Sequence, residues 1–249
     1  MDIIRARNLT IGYGGEAILR DLTFGIPAGR ITVVLGVSGS GKSTLLKSLA
    51  GLLPPLGGTY EFAGSPVDYA SERSLQGLYD RIGVLYQGGA LLNGLSLYEN
   101  VALPVRMHYP EIPEDMVRDM VHAGLAQVDM AAAADKYPPE LSGGMVKRGA
   151  LARALVLDPD IVFCDEPSSG LDPITSSLLD DLLLRLKETF GMTLVVVTHE
   201  LRSIERVADR MLVLNDGRLH FDGDAGELAA SDDEFIRTFF LRKHHHDDE

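Results

Sequence analysis

The stretch ITVVLGVSGSGKSTLLKSLAGLL, residues 31–53, joins a continuous apolar run to a glycine-rich loop and then to leucines of helical spacing. A run such as ITVVL, without polar alternation, suits a strand buried on both faces. Glycines 36, 39 and 41 let the main chain bend tightly and turn its N–H groups inward, and STLLKSLAGLL opens a helix expected to end near Gly51 or the Pro54-Pro55 pair. Gly36, Gly41, Lys42 and Ser43 fit the spacing G-x-x-x-x-G-K-[ST], and strand, loop and helix are the context that spacing requires. In such a loop the N–H groups and the helix N-terminus cradle a phosphate, Lys42 reaches the β- and γ-phosphates, and the Ser43 hydroxyl can ligate Mg²⁺. An ordinary glycine turn leaves Lys42 and Ser43 unexplained.

Outward from this stretch the pattern is that of an α/β protein. Residues 2–26 alternate apolar and polar side chains around GYGG, as two antiparallel strands and a turn do, and GTYEFAG adds another short strand. From about residue 88 to 157 the pattern becomes helical, through YENVALPVRM, then PEDMVRDMVHAGLAQV with a proline at its start, then ELSGGMVKRGALARAL. Strands return with IVFCD at 161–165 and TLVVVT at 193–198, and between them leucines 178, 179, 182, 183 and 186 form one helical stripe. That order is a βαβ unit of a parallel sheet. ADRMLVLNDGRLHFDG reads as a hairpin turning at Asn215-Asp216-Gly217. The changes of pattern divide the chain into a core, 1–87 with 158–230, a helical insert at 88–157 and a C-terminal extension at 231–249.

The 249 residues, 45% of them hydrophobic, suffice for one large core or two modest lobes. A single cysteine, Cys164, excludes an intrachain disulfide and, set in IVFCD, reads as an inert core thiol in a reducing cytosol. A net charge of −13 disfavours broad electrostatic binding to nucleic acid or anionic lipid. No stretch reaches the roughly 20 apolar residues that span a bilayer, and MDIIRARN lacks a signal-peptide core, so a membrane role is expected to come through a partner. The tail LRKHHHDDE reads as a frayed end rather than a metal site.

A second glycine-rich stretch, ELSGGMVKRGALARAL at 140–155, places Ser142, Gly143 and Gly144 before a helix, again as an anion site is built. Helix capping alone accounts for Ser142 but not for both glycines. IVFCDEP delivers Asp165 to a metal with Glu166 beside it, and the second carboxylate suits a base that polarises an attacking water. His199 follows TLVVVT, where open α/β sheets carry ligand residues. Gln87, after IGVLY, offers a neutral amide for Mg²⁺ or water. Tyr13 suits either stacking on a base or a half-buried place on a strand.

Taken together, GVSGSGKST, Gln87, LSGGM at 141–145, CDEPSSGLD at 164–172 and Thr198-His199 resemble, in type and order, the motifs of ABC-type ATPases, over nearly the whole chain. The resemblance implies an α/β P-loop ATPase with a mixed or parallel core sheet, an N-terminal antiparallel β subdomain and a helical subdomain bearing the signature. It implies ATP and Mg²⁺, and a head-to-tail homodimer in which each signature closes over the ATP of the other copy. Tyr13 then falls at the adenine-stacking aromatic, and Gly36, Ser38, Gly39, Ser40, Gly41, Lys42, Ser43 and Thr44 at the phosphate loop. Gln87 matches the contact to metal and water, Asp165 the metal carboxylate, Glu166 the base and His199 the γ-phosphate histidine. Ser142, Gly143 and Gly144 match the contact made in trans, and Asp172 the aspartate that communicates across the dimer. Met145 departs from the commoner glutamine.

LSGGMVKRGALARAL, with YQGGALLNGLSLYENVALPVR and DEPSSGLDPI, further resembles the ATPase subunits of Mla- and Mce-type systems, which move phospholipid or other hydrophobic molecules between the membranes of diderm bacteria. That implies a peripheral protein on the cytoplasmic face of the inner membrane. It would bind a permease dimer of MlaE-like kind, with an Mce-domain protein and a small STAS-type subunit as further partners, and no nucleic acid. GGALLNGLSLYENV is the candidate groove for a permease coupling helix, or else ordinary core packing. Other ABC importers and exporters share most of these letters. A soluble ABC machine acting on nucleic acid or ribosomes is disfavoured by the missing coiled coil, metal-binding cysteines and second ATPase. A small-molecule kinase is disfavoured by LSGG and the Asp165-Glu166 pair.

Overall fold

The computed structural model describes residues 1–233 and 235–236. The tail LRKHHHDDE and most of the extension assigned to 231–249 lie outside the described residues. In chain order, β1 (Asp2–Tyr13), β2 (Glu16–Pro27) and β3 (Ile31–Gly36) lead into α1 (Lys42–Leu49), β4 (Gly57–Phe62) and β5 (Ser65–Pro66). Next come α2 (Glu72–Tyr79), β6 (Ile82–Leu85), α3 (Leu97–His108), α4 (Glu114–Gln127), α5 (Gly143–Leu155), β7 (Ile161–Asp165), α6 (Pro173–Phe190) and β8 (Thr193–Val197). The chain continues through α7 (Leu201–Val207), β9 (Arg210–Asn215), β10 (Arg218–Gly223) and α8 (Ala225–Ala229). Two compact units result, one formed by 1–67 with 195 onward and the other by 68–194, so that β8 crosses from the second into the first.

In the first unit β2-β1-β4-β5 form an antiparallel sheet, the expected N-terminal β structure. Gly14 and Gly15, both at positive φ, close β1 on β2 in a two-residue turn, with Tyr13 opposite Glu16. The buried face of β1 reads Ile4, Ala6, then Leu9, Ile11, and the change of parity falls at a register shift beside Asn8, φ 49°. β3 is buried at every residue and runs parallel to β9, Val33 opposite Met211 and Leu35 opposite Val213. The α1 helix stops at Leu49, short of the prolines, and Gly51 follows in the left-handed region. Tyr60 of β4 donates its hydroxyl to Leu49 O at 2.8 Å, fixing that helix end to the sheet. The β9–β10 hairpin turns at Asp216-Gly217, both at positive φ, with Asn215 still in the strand.

In the second unit β6 and β7 are parallel, Val84 opposite Phe163 and Leu85 opposite Cys164. The helices α3 and α4 bury rows of i, i+4 spacing, Leu97, Val101 and Val105 on one and Val117, Val121 and Leu125 on the other. Ser96 and Glu99 form a capping box at the start of α3. Asn100, fully buried, accepts from Leu92 N at 2.7 Å and donates to the carbonyls of Leu92, Leu95 and Ser96, stapling the loop before α3 to the helix. Within GGALLNGLSLYENV, Leu97 and Val101 are therefore core, whereas Leu92 stays exposed. The expected leucine stripe of α6 holds for Leu179, Leu182, Leu183 and Leu186 but not for Leu178, which is 49% exposed. At 100° per residue Leu178 lies about a quarter-turn from the centre of that stripe.

The start of α5 packs on the start of α6. Ser142 caps α5 by accepting from Met145 N at 3.3 Å. A Cβ at Gly144 would stand 2.5 Å from Thr175 Cγ2, and one at Gly143 would stand 3.3 Å from Leu171 Cδ2. The glycines thus have a packing reason of their own, which the spacing of the letters does not disclose. Overpacking by one methyl costs about 1–3 kcal/mol, partly offset by the gain of up to about 1 kcal/mol for Gly→Ala inside a helix. Gly144→Ala is expected to lower stability by about 1 kcal/mol on this balance. Thr175→Ser keeps the hydroxyl and removes Cγ2, so in that background the same change should become stabilising. Urea unfolding of the two single variants and the double variant measures the coupling.

Candidate functional site

In the first unit β3 delivers the chain to Gly36, whose φ is 153°. No side chain fits there: a Cβ would lie 2.4 Å from Ser40 Oγ and 2.5 Å from Leu214 O. Gly39 and Gly41 also take positive φ, and the loop curls into α1. That helix begins at Lys42 with no side-chain cap and no acidic residue in its first turn, so its N-terminal amides and dipole favour an anion. Lys42 Nζ donates to Gly36 O and Val37 O, each at 3.0 Å, bending back along the loop. Ser38, Gly39 and Ser43 are exposed, while Thr44 is half-buried. Ser40 is buried, and its N–H donates to Val37 O at 3.1 Å, so it shapes the loop from within. Tyr13 ends β1 with 48% of its surface exposed, and His199 is exposed in the segment between β8 and α7.

In the second unit β7 ends at Asp165, and Glu166 turns sharply out of the strand at φ 48°, a left-handed conformation for a residue with a side chain. Such backbone costs about 1–3 kcal/mol and collects at functional sites. Ser169 N donates to Glu166 O at 3.2 Å, closing the turn. Gln87 is exposed just beyond β6, and its Nε2 donates to Ser169 Oγ at 3.2 Å. Lys147, buried in the middle of α5, donates from Nζ to Gln87 O and, at 3.3 Å, to Glu166 O. Arg153, further along α5, donates to Gly89 O and Ala90 O at 2.9 and 2.7 Å. Burial leaves Cys164 inert, pushing its thiol up to about 12, with Asp165 adding to the rise and Lys147 opposing it.

Gln87 and Glu166, each expected from sequence, are therefore brought together through Lys147 and Ser169, which the sequence reading does not single out. A lysine in the middle of a helix reads as a solvated charge, and only the packing of α5 turns this one inward. Ser142, Gly144 and Met145 border a cavity of about 310 Å³ that Lys136 and Arg148 also line. Thr175 lines the same cavity, and Asp172 caps its helix α6, accepting from Ile174 N and Thr175 N at 3.1 and 3.0 Å and from Thr175 Oγ1 at 2.5 Å. Chiefly the Thr175 hydroxyl, then its amide, holds the Asp172 carboxyl below the usual carboxylate range. The cap is thus complete above that range and is lost only as pH falls through the lowered value. No described helix is long and apolar enough to cross a membrane.

The family profile for ABC transporters matches residues 19–169, which take in the glycine loop, Gln87, the signature and the Asp165-Glu166 pair. The chain is 41% identical over 236 residues to the probable ribonucleotide transport ATP-binding protein mkl of Mycobacterium tuberculosis, with 95% of this chain aligned, and it spans 66% of that relative's length. It is 38% identical over 232 residues to the intermembrane phospholipid transport system ATP-binding protein MlaF of Haemophilus influenzae, covering 93% of this chain and 88% of that one. Among solved structures, cbiO1 from Clostridium perfringens, part of the ABC transporter complex cbiONQ, superposes with a TM-score of 0.85 at 29% identity, covering 100% of this chain and 99% of that one. The ATP-binding cassette MJ0796, dimeric and bound to ADP and Pi after hydrolysis, gives a TM-score of 0.79 at 29% identity, over 89% of this chain and 98% of that one. With the glycine loop, the signature and the acidic strand end all inside the matched region, the chain belongs to the ABC transporter family, as an ATP-binding cassette.

Proposed function

We propose that the chain is the ATP-hydrolysing subunit of a transporter that moves phospholipid or another hydrophobic substrate between the inner and outer membranes of a diderm bacterium. The observation that carries hydrolysis is Glu166, held in a left-handed turn directly after Asp165 and joined through Lys147 to the main chain of Gln87. Phospholipid as cargo is supported by the similarity to MlaF. The similarity to mkl supplies a second reading, a transporter of ribonucleotides.

Gly36, Ser38, Gly39, Ser40, Gly41, Lys42, Ser43 and Thr44 form the phosphate loop for ATP, and Tyr13 stacks on the adenine. Ser43, Gln87 and Asp165 supply only oxygen donors, the type that Mg²⁺ takes, and would hold the ion with the nucleotide. When bound, Mg²⁺ neutralises phosphate charge and polarises the transferring group. Glu166 orients and deprotonates the attacking water, Gln87 helps to hold it, and His199 contacts the γ-phosphate. Ser142, Gly143, Gly144 and Asp172 face the ATP of a second copy, a reading supported by the uncapped start of α1 and by the cavity that Ser142 and Gly144 border. ATP shared between two copies favours closure, and hydrolysis releases it.

The homodimer works as a peripheral subunit on the cytoplasmic face of the inner membrane, with residues 88–157 as the helical subdomain that receives the permease. The exposed Leu92 on the loop stapled by Asn100 is its candidate contact. An MlaE-like permease dimer, an Mce-domain protein and a small STAS-type subunit are the partners that the family resemblance implies. Purification of the tagged chain from membranes is expected to bring an integral membrane protein with it. A stable complex without one contradicts the transport reading, and ribonucleotide rather than phospholipid stimulating ATP turnover of the reconstituted complex favours the second cargo.

Glu166→Gln is expected to retain ATP binding while kcat falls by about a hundredfold or more, because the water loses its base and the phosphate loop is untouched. Single-turnover hydrolysis beside equilibrium nucleotide binding measures both. Ser142→Arg is expected to leave binding of ATP to the single chain unchanged and to abolish ATP-dependent dimerisation, seen by size-exclusion chromatography in the Glu166→Gln background. Dimers that persist would remove the signature from the trans contact.

A further inference from the structure

Lys147 is 5% exposed, and burying an ammonium is unfavourable unless other dipoles replace its water. An apolar side chain of similar length would fill the same space on α5 at lower cost, so the charge has to be explained by what it holds. It holds two backbone carbonyls from distant parts of the chain, Gln87 O and Glu166 O. Ser169 closes the circuit, its N–H donating to Glu166 O and its hydroxyl accepting from Gln87 Nε2. The two catalytic candidates therefore belong to one hydrogen-bonded ring with Lys147 at its centre. Fixing the carbonyl of Glu166 fixes the backbone rotation after its Cα, and with it the direction in which the carboxylate leaves the main chain.

We propose that Lys147 is a positioning residue that locks the Gln87 loop and the Glu166 turn to the signature helix α5, so that the placing of α5 sets the geometry of both. This rests on the reading of Glu166 as the base. Arg153 anchors the same loop at Gly89 O and Ala90 O, so α5 grips it at both ends of the 87–90 segment. The capping residue Ser142 begins this helix, and Lys147 lies little more than a turn beyond it. Engagement of an anion at the start of α5 thereby reaches Glu166 of the same chain through a single side chain.

The test is steady-state ATP hydrolysis by the full chain carrying Lys147→Met, Lys147→Gln or Lys147→Arg, with Glu166→Gln alongside. Misplacing a catalytic group by about an ångström costs up to about a hundredfold, so Lys147→Met is expected to lower kcat by about tenfold to a hundredfold with KM for ATP and nucleotide affinity unchanged. Lys147→Arg, which keeps the charge and several donors, should recover most of the loss. Lys147→Gln, with one short neutral donor, should fall between, and it serves as the test where Lys147→Met does not fold. A wild-type kcat in Lys147→Met or Lys147→Gln overturns the inference, as does a loss of kcat that is matched by a raised KM and a lowered unfolding midpoint. If Glu166→Gln hydrolyses ATP at the wild-type rate, the reading of Glu166 as base has failed; if it is inert while Lys147→Met is fully active, only the role of Lys147 has.

Discussion

At Gly36 the chain leaves a fully buried strand with no room for a Cβ, because Ser40 Oγ lies below that position and Leu214 O beside it. The rest of the first unit follows from that constraint. A chain turned so sharply presents successive amides, and the next regular element must start at once, which is why α1 begins at Lys42 with no side chain to cap it. An uncapped helix start is a local cost unless an anion meets it, so the same geometry that spends backbone freedom also defines the ligand. Lys42, bent onto the carbonyls of residues 36 and 37, keeps its charge at that place.

The second unit depends on a different economy of space, centred on α5. Small residues let neighbours approach this helix on several sides: Thr175 at Gly144, Leu97 at Gly149, and from the other direction Gly83 of β6 against Ala154 O. Close approach brings two of its cations, the buried Lys147 and the half-buried Arg153, within reach of main-chain carbonyls outside the helix. Lys147 and Arg153 then do what neither an apolar contact nor a surface ion pair does, fixing the course of loops that have no regular hydrogen bonding of their own. Glu166 can stay in a strained conformation because the ring of Gln87, Lys147 and Ser169 over-determines it.

Much of this was legible in the letters. Buried strands, the i, i+4 rows of α3 and α4, the β9–β10 turn and the glycine loop are local, and local spacing is what a sequence displays. Other features were not. The α2 helix and β6 are short, and their place comes from α2 having Ser71 as its cap and β6 having β7 beside it. The parity change in β1 depends on a bulge. Leu178 matches the leucines around it in type but falls outside the arc that the core covers.

By itself the sequence determined which candidate groups the chain carries and in what order: a glycine loop, a neutral amide, a signature, an acidic pair and a histidine, the loop, the signature and the acidic pair each legible as a contiguous motif. Tertiary structure alone decided that Gly144 must be small because of Thr175, that Ser40 faces inward, and that Lys147 ties Gln87 to Glu166. The physical reason is that a side-chain hydrogen bond or a methyl-sized gap joins residues far apart in the chain and leaves no period in either segment. Only packing determines whether a lysine in the middle of a helix meets water or a pair of carbonyls.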